Sequence, residues 1–300
     1  MKTNIDWRKV MRKSLLAIVI ASVAFLSVGL TACSKSDVNS LNSNNQKTSG
    51  TVRTLDDIKK SGTLKVGVFS DKAPFGYVDK DGKNQGYDIY FAQRLAKDLG
   101  VKIEFTITDP ASRVEFVDSG KVDIILANFT KTPERVEKVD FALPYMQVAL
   151  GVVSSEKAPV KTLADLSGKT LIVAKGTTAE TYFTKNHPEV KLLKFDQYAE
   201  AYSALLDGRG DALSTDNTEV LAWAISNPDF VVEQGVSKIG DVDVVAPAVK
   251  KGNTTVLDWI NKEIANLPHD FFLEDYKATL EPVYGNKSDP NNIIIENGKF

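Results

Sequence analysis

Short apolar, β-branched runs alternate with helical patterns along this chain, and this alternation restricts the fold more than any other feature. The first set contains the strand patterns Leu64–Val68, Val101–Thr106 and Val122–Ala127, separated by the helical patterns Tyr87–Leu99 and Arg113–Ser119. Strands that alternate with helices are usually joined by right-handed crossovers and lie side by side in a parallel sheet. The first set therefore predicts an α/β fold with a parallel, doubly wound sheet.

A second set of the same kind begins near Ala149. Its strand and helical patterns are Leu150–Val153, Leu163–Leu166, Thr170–Val173, Ala179–Lys185, Leu192–Phe195, Tyr198–Leu206 and Ala212–Ser214, followed by the apolar run Asp243–Val249 and the helical patterns Thr254–Asn266 and His269–Val283. The folded part has about 250 residues, which is large for one hydrophobic core and suits two lobes. Residues 288–300 show no pattern that we can assign.

The N-terminus is typical of a processing signal. Basic residues near the start precede the apolar stretch Leu15–Val28, which is too short for a comfortable membrane span. Leu30-Thr31-Ala32-Cys33 resembles the bacterial lipobox, in which the Cys becomes the lipidated first residue. We therefore expect residues 1–32 to be a lipoprotein signal peptide and Cys33 to carry a membrane anchor. The alternative is an ordinary secretory signal with a chance Cys.

The composition of the chain restricts further which kind of protein it can be and which partners it can have. Residues 33–50 are polar and are expected to form a flexible tether. Cys33 is the only cysteine, so we expect no disulfide. A net charge of −2 gives no reason to expect nucleic acid as a partner. The two histidines, His187 and His269, lie near no acidic or Cys cluster, so neither a metal nor a cofactor is expected.

The segment Asp123–Tyr145 (DIILANFTKTPERVEKVDFALPY) predicts an anion site. An apolar strand ends in a polar loop, a helix begins at Pro133, and Arg135 lies in its first turn. Free N–H groups at a helix start bind anions, and the Arg fork matches a carboxylate. Strand–loop–Arg patterns also occur in many α/β proteins without a ligand at that position.

The whole string resembles the polar amino-acid substrate-binding proteins of ABC importers, the bacterial solute-binding family 3, and the resemblance covers nearly all of Val52–Gly285. It implies a type II periplasmic-binding fold with two doubly wound α/β lobes joined by two hinge crossings. Lobe 1 is expected to comprise residues 51–147 and 246–300, and lobe 2 residues 148–245. The resemblance also implies an amino acid as ligand, an ABC permease and ATPase as partners, and a monomer.

In that family, the positions of Asn128, Thr130 and Arg135 grip the α-carboxylate of the ligand. We expect Thr130 to offer a hydroxyl and an N–H, Arg135 to supply the charge, and the Asn128 carbonyl to receive the α-ammonium. The alternative for Arg135 is a solvated arginine on a helix face.

The resemblance implies that lobe 2 supplies the remaining contacts to the carboxylate and the ammonium of the ligand. Thr177 and Glu180 have the spacing of a capping box, which leaves Thr178 at the first helical position with a free N–H and hydroxyl. The matching Thr in the family touches the carboxylate. Asp216 matches the family carboxylate that pairs with the α-ammonium, and the alternative is an Asp that caps a helix.

Arg113, Lys72 and Phe75 bear on specificity. Ser112-Arg113-Val114 resembles aspartate- and glutamate-binding members, in which this Arg meets the side-chain carboxylate. The strings NQGYDI, RVEF, VDIILANFT, GTTA and APAVKKG together resemble the cysteine-binding branch. Lys72 replaces the aromatic residue of the basic-amino-acid binders and argues against cationic ligands, although Asp109 or Glu115 could pair with either cation. Phe75 is expected either in the pocket floor or in the core.

These observations predict a lipid-anchored, non-enzymatic binding protein on the extracytoplasmic face of the membrane, with a Gram-positive surface favoured over a periplasm. The favoured ligand is cysteine or cystine, with glutamate or aspartate as the alternative. A cyclohexadienyl-dehydratase-like enzyme would need a further acid in the cleft, and the motifs place none there beyond Asp216. A sensor domain is the weakest alternative.

Overall fold

Two mixed sheets organise residues 52–300, the part of the chain that the computed structural model describes. The predicted signal peptide, Cys33 and the tether lie outside the described residues. Within residues 52–300, no helix is both long and apolar enough to cross a bilayer.

The strands in chain order are β1 (Thr63–Val68), β2 (Asp71–Lys72), β3 (Gly76–Val78), β4 (Asn84–Gln85), β5 (Lys102–Ile107), β6 (Ile124–Ile125), β7 (Val139–Phe141), β8 (Met146–Ser155), β9 (Thr170–Ala174), β10 (Lys191–Phe195), β11 (Ala212–Asp216), β12 (Phe230–Val231), β13 (Ile239–Val245) and β14 (Ala248–Lys250). The α-helices are α1 (Leu55–Ser61), α2 (Tyr87–Leu99), α3 (Arg113–Asp118), α4 (Pro133–Val136), α5 (Thr178–Asn186), α6 (Tyr198–Leu206), α7 (Asn217–Ser226), α8 (Thr254–Asn266), α9 (Phe271–Thr279) and α10 (Glu281–Tyr284).

The strands form three sheets. The first sheet has the order β5-β1-β6-β14-β7, and the second has the order β10-β9-β11-β8-β12, with β13 also paired to β8. A small sheet contains β2, β3 and β4. The predicted α/β class is therefore confirmed, and the small sheet lies between β1 and α2 in the chain.

The predicted parallel pairing describes only part of each sheet. β1 runs parallel to β5 and β6, and β9 runs parallel to β10 and β11. In contrast, β14 is antiparallel to β6 and β7, and β8 is antiparallel to β11. The antiparallel strands β8 and β14 lie next to the two points at which the chain passes between the sheets.

Local chemistry explains where several elements begin and end. Thr54 caps α1 in a capping box with Asp57, and Gly62 ends the helix at φ 67°. The predicted strand Asp243–Val249 is divided at Pro247, which has no N–H to donate to a sheet. The predicted helix His269–Val283 is likewise divided near Pro282, because proline ends the regular helical bonding.

The C-terminal segment packs on the crossing strand. Ile293 and Ile295 are buried. The Gln147 N–H donates to the Ile293 carbonyl at 2.7 Å, and the Ile295 N–H donates to the Tyr145 carbonyl at 3.0 Å. Residues 288–300 thus add a strand-like pairing at the start of β8, which the polar composition of this segment did not indicate.

The apolar core of residues 52–300 contains three buried clusters. One buried cluster lies between the first sheet and the helices α2, α8 and α9. Another lies between the second sheet and α5. A further cluster contains residues from both sheets, including Phe69, whose ring lies 5.4 Å from that of Tyr198. The two sheets therefore meet through packed side chains beside the polar residues described next.

Candidate functional site

A small cavity of about 10 Å³ lies between loops of the two sheets. Its lining residues are Arg113, Asn128, Thr130, Arg135, Thr177, Thr178, Ala179, Tyr198, Thr215 and Asp216. Six of the eight residues that the sequence singled out for ligand binding are among them. The two others, Lys72 and Phe75, lie elsewhere.

Arg135 lies on the side of the cavity nearest the first sheet. Thr132 caps α4, and this turn places Arg135 over the loop that follows β6. Nη1 donates to the Thr130 carbonyl at 2.7 Å, Nη2 donates to the Gly176 carbonyl at 2.9 Å, and the guanidinium lies 4.7 Å from the centre of the Phe129 ring. The side chain is half-buried and held in place, so it is not a solvated arginine on a helix face.

The charge of Arg135 is affected by its surroundings. Burial, together with the nearby charge of Arg113, lowers the pKa of Arg135 to about 9. The guanidinium therefore stays charged at neutral pH while two cations face one small cavity. An anion between them would relieve this repulsion.

Arg113 is buried and donates almost entirely to backbone carbonyls. Nε donates to Pro110 at 2.9 Å, Nη1 to Ala127 at 3.0 Å and to Asn128 at 3.2 Å, and Nη2 to Gly176 at 3.2 Å. Burial lowers the pKa of Arg113. These contacts use most of the N–H donors of the guanidinium. The main role of the side chain is therefore to hold the loops around the cavity together.

Asp109 and Glu115 do not pair with Arg113 or Lys72, and the alternative that they do is wrong. Asp109 accepts hydrogen bonds from the N–H groups of Ala111 and Ser112, and none of the ion pairs among the described residues contains Glu115. An Asp before a helix commonly closes the turn in this way.

Asn128 has a left-handed backbone with φ 44°. Its N–H donates to Asp88 Oδ2 at 2.7 Å, and its carbonyl accepts from Arg113. The side-chain amide is buried, and neither of its polar atoms has a hydrogen-bond partner in the described part of the chain. The carbonyl that was expected to receive an α-ammonium is thus already shared with Arg113, whereas the amide is free.

The start of α5 forms the opposite wall. Thr178 is the first helical residue, as predicted, and its hydroxyl has no partner among residues 52–300. Thr177 Oγ1 accepts from the Glu180 N–H, but Glu180 Oε2 accepts from the Gly176 N–H at 2.7 Å and not from Thr177. The predicted capping box is therefore only half formed, because the carboxylate reaches one residue further back.

Gly176 allows the two walls to approach each other. Its φ is 73°, and a Cβ at this position would lie 2.6 Å from the Cα of Ala111. Such a distance is shorter than real Cβ contacts permit. Arg113 and Arg135 both donate to the carbonyl of this residue. The contact between the loop before α3 and the loop before α5 thus depends on the absence of a side chain.

Asp216 ends β11 and immediately precedes α7, but its side chain does not cap that helix. Oδ2 accepts from Lys72 Nζ at 3.0 Å, and Oδ1 accepts no hydrogen bond from any described residue. The helix-cap alternative is therefore wrong, and one oxygen of a buried carboxylate remains available on the cavity wall.

Lys72 is buried and lies behind the cavity wall. Its ammonium also contacts Glu219 Oε2 at 2.5 Å, the Tyr198 hydroxyl at 3.1 Å and Thr215 Oγ1 at 3.3 Å. Burial acts to lower the pKa of Lys72, but the charges of Asp216 and Glu219 outweigh burial and raise it well above its usual value. Lys72 is therefore a neutralised cation that connects the small sheet to α7.

Glu219 was missed by sequence reasoning. It lies in the first turn of α7, a helix that the sequence analysis did not predict. Its spacing of three residues from Asp216 places the two carboxylates on one side of the helix start. Burial raises the pKa of Glu219, and the charge of Lys72 opposes this effect.

Phe75 lies in the core of the first sheet and is fully buried there. The structure therefore places it at the second of its two expected positions. A wider pocket of about 420 Å³ opens beside the cavity, with Arg135 and Thr178 in both linings. Within residues 52–300, no group of three or more His, Cys, Asp and Glu side chains could hold a metal ion.

The arrangement separates charges across one cavity. Arg113 and Arg135 lie on the wall from the first sheet, and the free oxygen of Asp216 lies on the wall from the second. A small molecule with a carboxylate at one end and an ammonium at the other would pair both charges at once.

Comparison with known proteins relates this geometry to a family. A family model described as bacterial extracellular solute-binding proteins, family 3, matches residues 64–278. A glutamine-binding protein of Geobacillus stearothermophilus is 35% identical over 231 residues, which cover 74% of this chain and 88% of the relative.

Two solved structures are more similar in sequence. The solute receptor for L-cysteine of Neisseria gonorrhoeae is 55% identical with a TM-score of 0.78, and the match covers 81% of this chain and all of that chain. The cysteine-binding protein of Campylobacter jejuni is 50% identical with a TM-score of 0.79, and the match covers 81% of this chain and 98% of that chain.

Proposed function

The chain belongs to the bacterial extracellular solute-binding proteins of family 3, and on this premise we propose that it captures a small polar L-amino acid outside the cytoplasm for an ABC importer. The observation that carries the proposal is the placement of Arg135 and Asp216 on opposite walls of one cavity. In this proposal the α-carboxylate binds Arg135, and the α-ammonium binds Asp216 Oδ1.

Hinge closure is the mechanism that we propose. Residues 51–147 and 246–300 form lobe 1, and residues 148–245 form lobe 2. Support comes from the sheets, because β8 belongs to the second sheet and β14 to the first. A zwitterion that bridges Arg135 and Asp216 stabilises the closed form over the open form, since only the closed form brings both walls to the ligand.

Thr130 and Thr178 complete the proposed carboxylate site. Both line the cavity. Thr178 offers the free N–H of a first helical residue, and the nine-residue helix α5 adds the positive end of its dipole. The two threonines approach the carboxylate from opposite walls, so they favour the closed form together with Arg135.

Cysteine is the ligand that we favour, and cystine is the second choice. The two solved structures described above, which are 55% and 50% identical, are named for cysteine, whereas the glutamine-binding relative is 35% identical. The contacts of Arg113 support a neutral side chain, because its donors are committed to four carbonyls. A glutamate or aspartate side chain would have to displace some of these bonds.

In this proposal the protein binds its ligand and does not catalyse a reaction. The relatives above are named as a solute receptor and as binding proteins. Asp216, the one acid that the motifs placed in the cleft, has a binding role in this account.

We also propose that the protein is a monomer anchored by a lipid on Cys33, on the extracytoplasmic face of a Gram-positive membrane. The lipobox-like Leu30–Cys33 and the polar stretch after it support the anchor. Metabolic labelling with a palmitate analogue tests it: the wild-type chain should be labelled and the Cys33→Ser variant should not. Label on both chains would contradict the assignment.

A thermal-shift screen of the purified protein tests the proposed ligand. The panel contains the twenty common amino acids and cystine, with a reductant present for cysteine. A ligand at about 100 times its dissociation constant should stabilise the native state by about 2.7 kcal/mol, which is readily seen. A shift with cysteine or cystine supports the proposal, a shift with glutamate or aspartate alone reassigns the ligand, and no shift with any of them contradicts it.

A further inference from the structure

Asp88 is a fully buried carboxylate in the first turn of α2. Oδ2 accepts from the Asn128 N–H at 2.7 Å, and Oδ1 accepts from the Tyr145 hydroxyl at 2.5 Å. The two donors lie on different functional segments. The sequence analysis assigned no ligand contact to Asp88, and it does not line the cavity.

The contact with Asn128 fixes the backbone of the cavity loop. Asn128 adopts a left-handed conformation, which is uncommon for a residue with a side chain. A charge-assisted hydrogen bond from its N–H to Asp88 offsets the cost of that conformation. The same peptide geometry directs the Asn128 carbonyl at Arg113 and leads the chain to Thr130 on the cavity wall.

The contact with Tyr145 reaches the point where the chain passes between the sheets. Tyr145 directly precedes β8, and its N–H donates to the Val245 carbonyl at 3.1 Å. Val245 is the last residue of β13, just before the chain returns to the first sheet through β14. Both crossing segments therefore meet at Tyr145, and Asp88 joins this meeting point to the cavity loop.

We propose that Asp88 is a positioning residue that couples the ligand-contacting loop at Asn128 to the crossing segments at Tyr145 through the two oxygens of its ionised carboxylate. The proposal rests on the proposed function, because ligand binding is its readout. Asp88 acts through Asn128 and Tyr145 and does not itself contact the ligand.

The surroundings of Asp88 decide how it titrates. Burial raises the pKa of Asp88 to about 6, and the bonds from Tyr145 and Asn128 and the charges of Lys72 and Arg113 oppose this rise. Asp275 on α9 and the Tyr87 hydroxyl also interact with its charge. Between pH 7 and pH 5 the carboxylate therefore gains a proton. Two charge-assisted bonds are then replaced by weaker neutral ones, and the loop is held less firmly.

Asp88→Asn tests the proposal, because the amide keeps the shape of the carboxyl group and mimics its protonated form. L-cysteine with a reductant is titrated into the wild type and the variant by calorimetry from pH 7 to pH 5. The wild-type dissociation constant should rise as the pH falls through about 6, and the variant should bind about tenfold more weakly at pH 7 with no such rise, because only the wild type loses charge-assisted bonds. The two affinities should converge near pH 5.

Two further variants separate coupling from a general structural role. Tyr145→Phe removes only the hydroxyl donor and should weaken binding at pH 7 less than Asp88→Asn does. Asp123→Asn changes another buried carboxyl group, which is bonded to the Lys65 N–H and to Arg53, and should keep the wild-type pH profile of binding. Equal affinities of Asp88→Asn and the wild type at pH 7, or parallel pH profiles, would overturn the role of Asp88. A wild type that binds no amino acid at pH 7 would instead overturn the proposed function.

Discussion

The ammonium of Lys72 lies 3.0 Å from the carboxylate of Asp216, although the two residues are 144 positions apart and belong to different sheets. This buried pair uses one oxygen of Asp216 and leaves the other without a partner in the described part of the chain. The ion pair therefore joins the small sheet to the wall that carries Asp216 and still leaves one carboxylate oxygen for a ligand ammonium.

Removing the cation should reveal this role. Lys72→Met leaves Asp216 and Glu219 as neighbouring buried carboxylates, and breaking a buried pair from one side costs about 3–5 kcal/mol. We expect a loss of that order in the free energy of unfolding by urea, together with weaker ligand binding. Adding Glu219→Gln should recover part of the loss, since one stranded charge is then removed.

The matched control is Lys175→Met, which breaks the exposed pair of Lys175 with Asp196. Exposed pairs contribute little, because water and salt screen them. Stability and affinity should both remain near their wild-type values. Equal effects of the two lysine variants would mean that the position of Lys72 between the sheets is unimportant.

Arg135→Ala should abolish amino-acid binding without unfolding the protein. The proposed carboxylate contact is charge-assisted and partly desolvated, and its loss should weaken binding roughly 100-fold or more. Isothermal titration calorimetry measures the affinity, and circular dichroism checks the fold. Arg94→Ala removes an arginine from a partly exposed pair with Asp98 on α2 and should bind normally. An affinity of Arg135→Ala close to that of the wild type would refute the carboxylate role.

Gly176→Ala should weaken binding more than it weakens the fold. The new Cβ would meet Ala111 and separate the two walls, whereas Gly168 has a similar φ of 74° and open space around it. Both substitutions place a side chain in the left-handed region at a cost of about 1–2 kcal/mol. Thermal unfolding should therefore change similarly in Gly176→Ala and Gly168→Ala, and only the former should lose affinity. A similar loss of affinity in both variants would show that the close contact between Gly176 and Ala111 is not required for ligand binding.

Asp88 also makes a prediction for stability. Its pKa rises from 3.8 to about 6 in the folded state, so the native protein binds this proton more tightly than the unfolded chain. The resulting stabilisation is fully present below about pH 4 and is lost as the pH rises through 6. The difference amounts to about 3 kcal/mol.

Asp88→Asn removes that titration. The stability of the variant relative to the wild type should therefore increase by about this amount between pH 4 and pH 7, as measured by urea unfolding without ligand. Binding and stability would then respond in opposite directions to the same substitution. A constant difference across this pH range would show that Asp88 is not buried in its charged form.

Much of the secondary structure could be predicted because the helices have clear periodicity and stop signals. Tyr87–Leu99, Tyr198–Leu206 and Thr254–Asn266 have the predicted bounds. The helix Asn217–Ser226 was not predicted from the sequence. The extended pattern Val122–Ala127 yields only Ile124–Ile125 as paired strand, because pairing depends on neighbours that are distant in the chain.

The sequence motifs predicted which residues form the walls of the site, but they did not predict the contacts behind those walls. The motifs named Arg135, Thr178 and Asp216, and the fold brings them to one cavity. They could not show that Lys72 is neutralised by Glu219, or that Asp88 reaches both Asn128 and Tyr145. These contacts join segments that are far apart in sequence, and their partners are set by packing alone.

Calorimetric titration of the purified protein with L-cysteine under reducing conditions, beside an identical titration with L-glutamate, tests the central claim most directly. The account predicts single-site binding of cysteine with a dissociation constant in the micromolar range or tighter, and much weaker binding of glutamate. Tight binding of glutamate alone would contradict the neutral side chain, and the absence of heat from either, with none from cystine, would contradict amino-acid capture by this cavity.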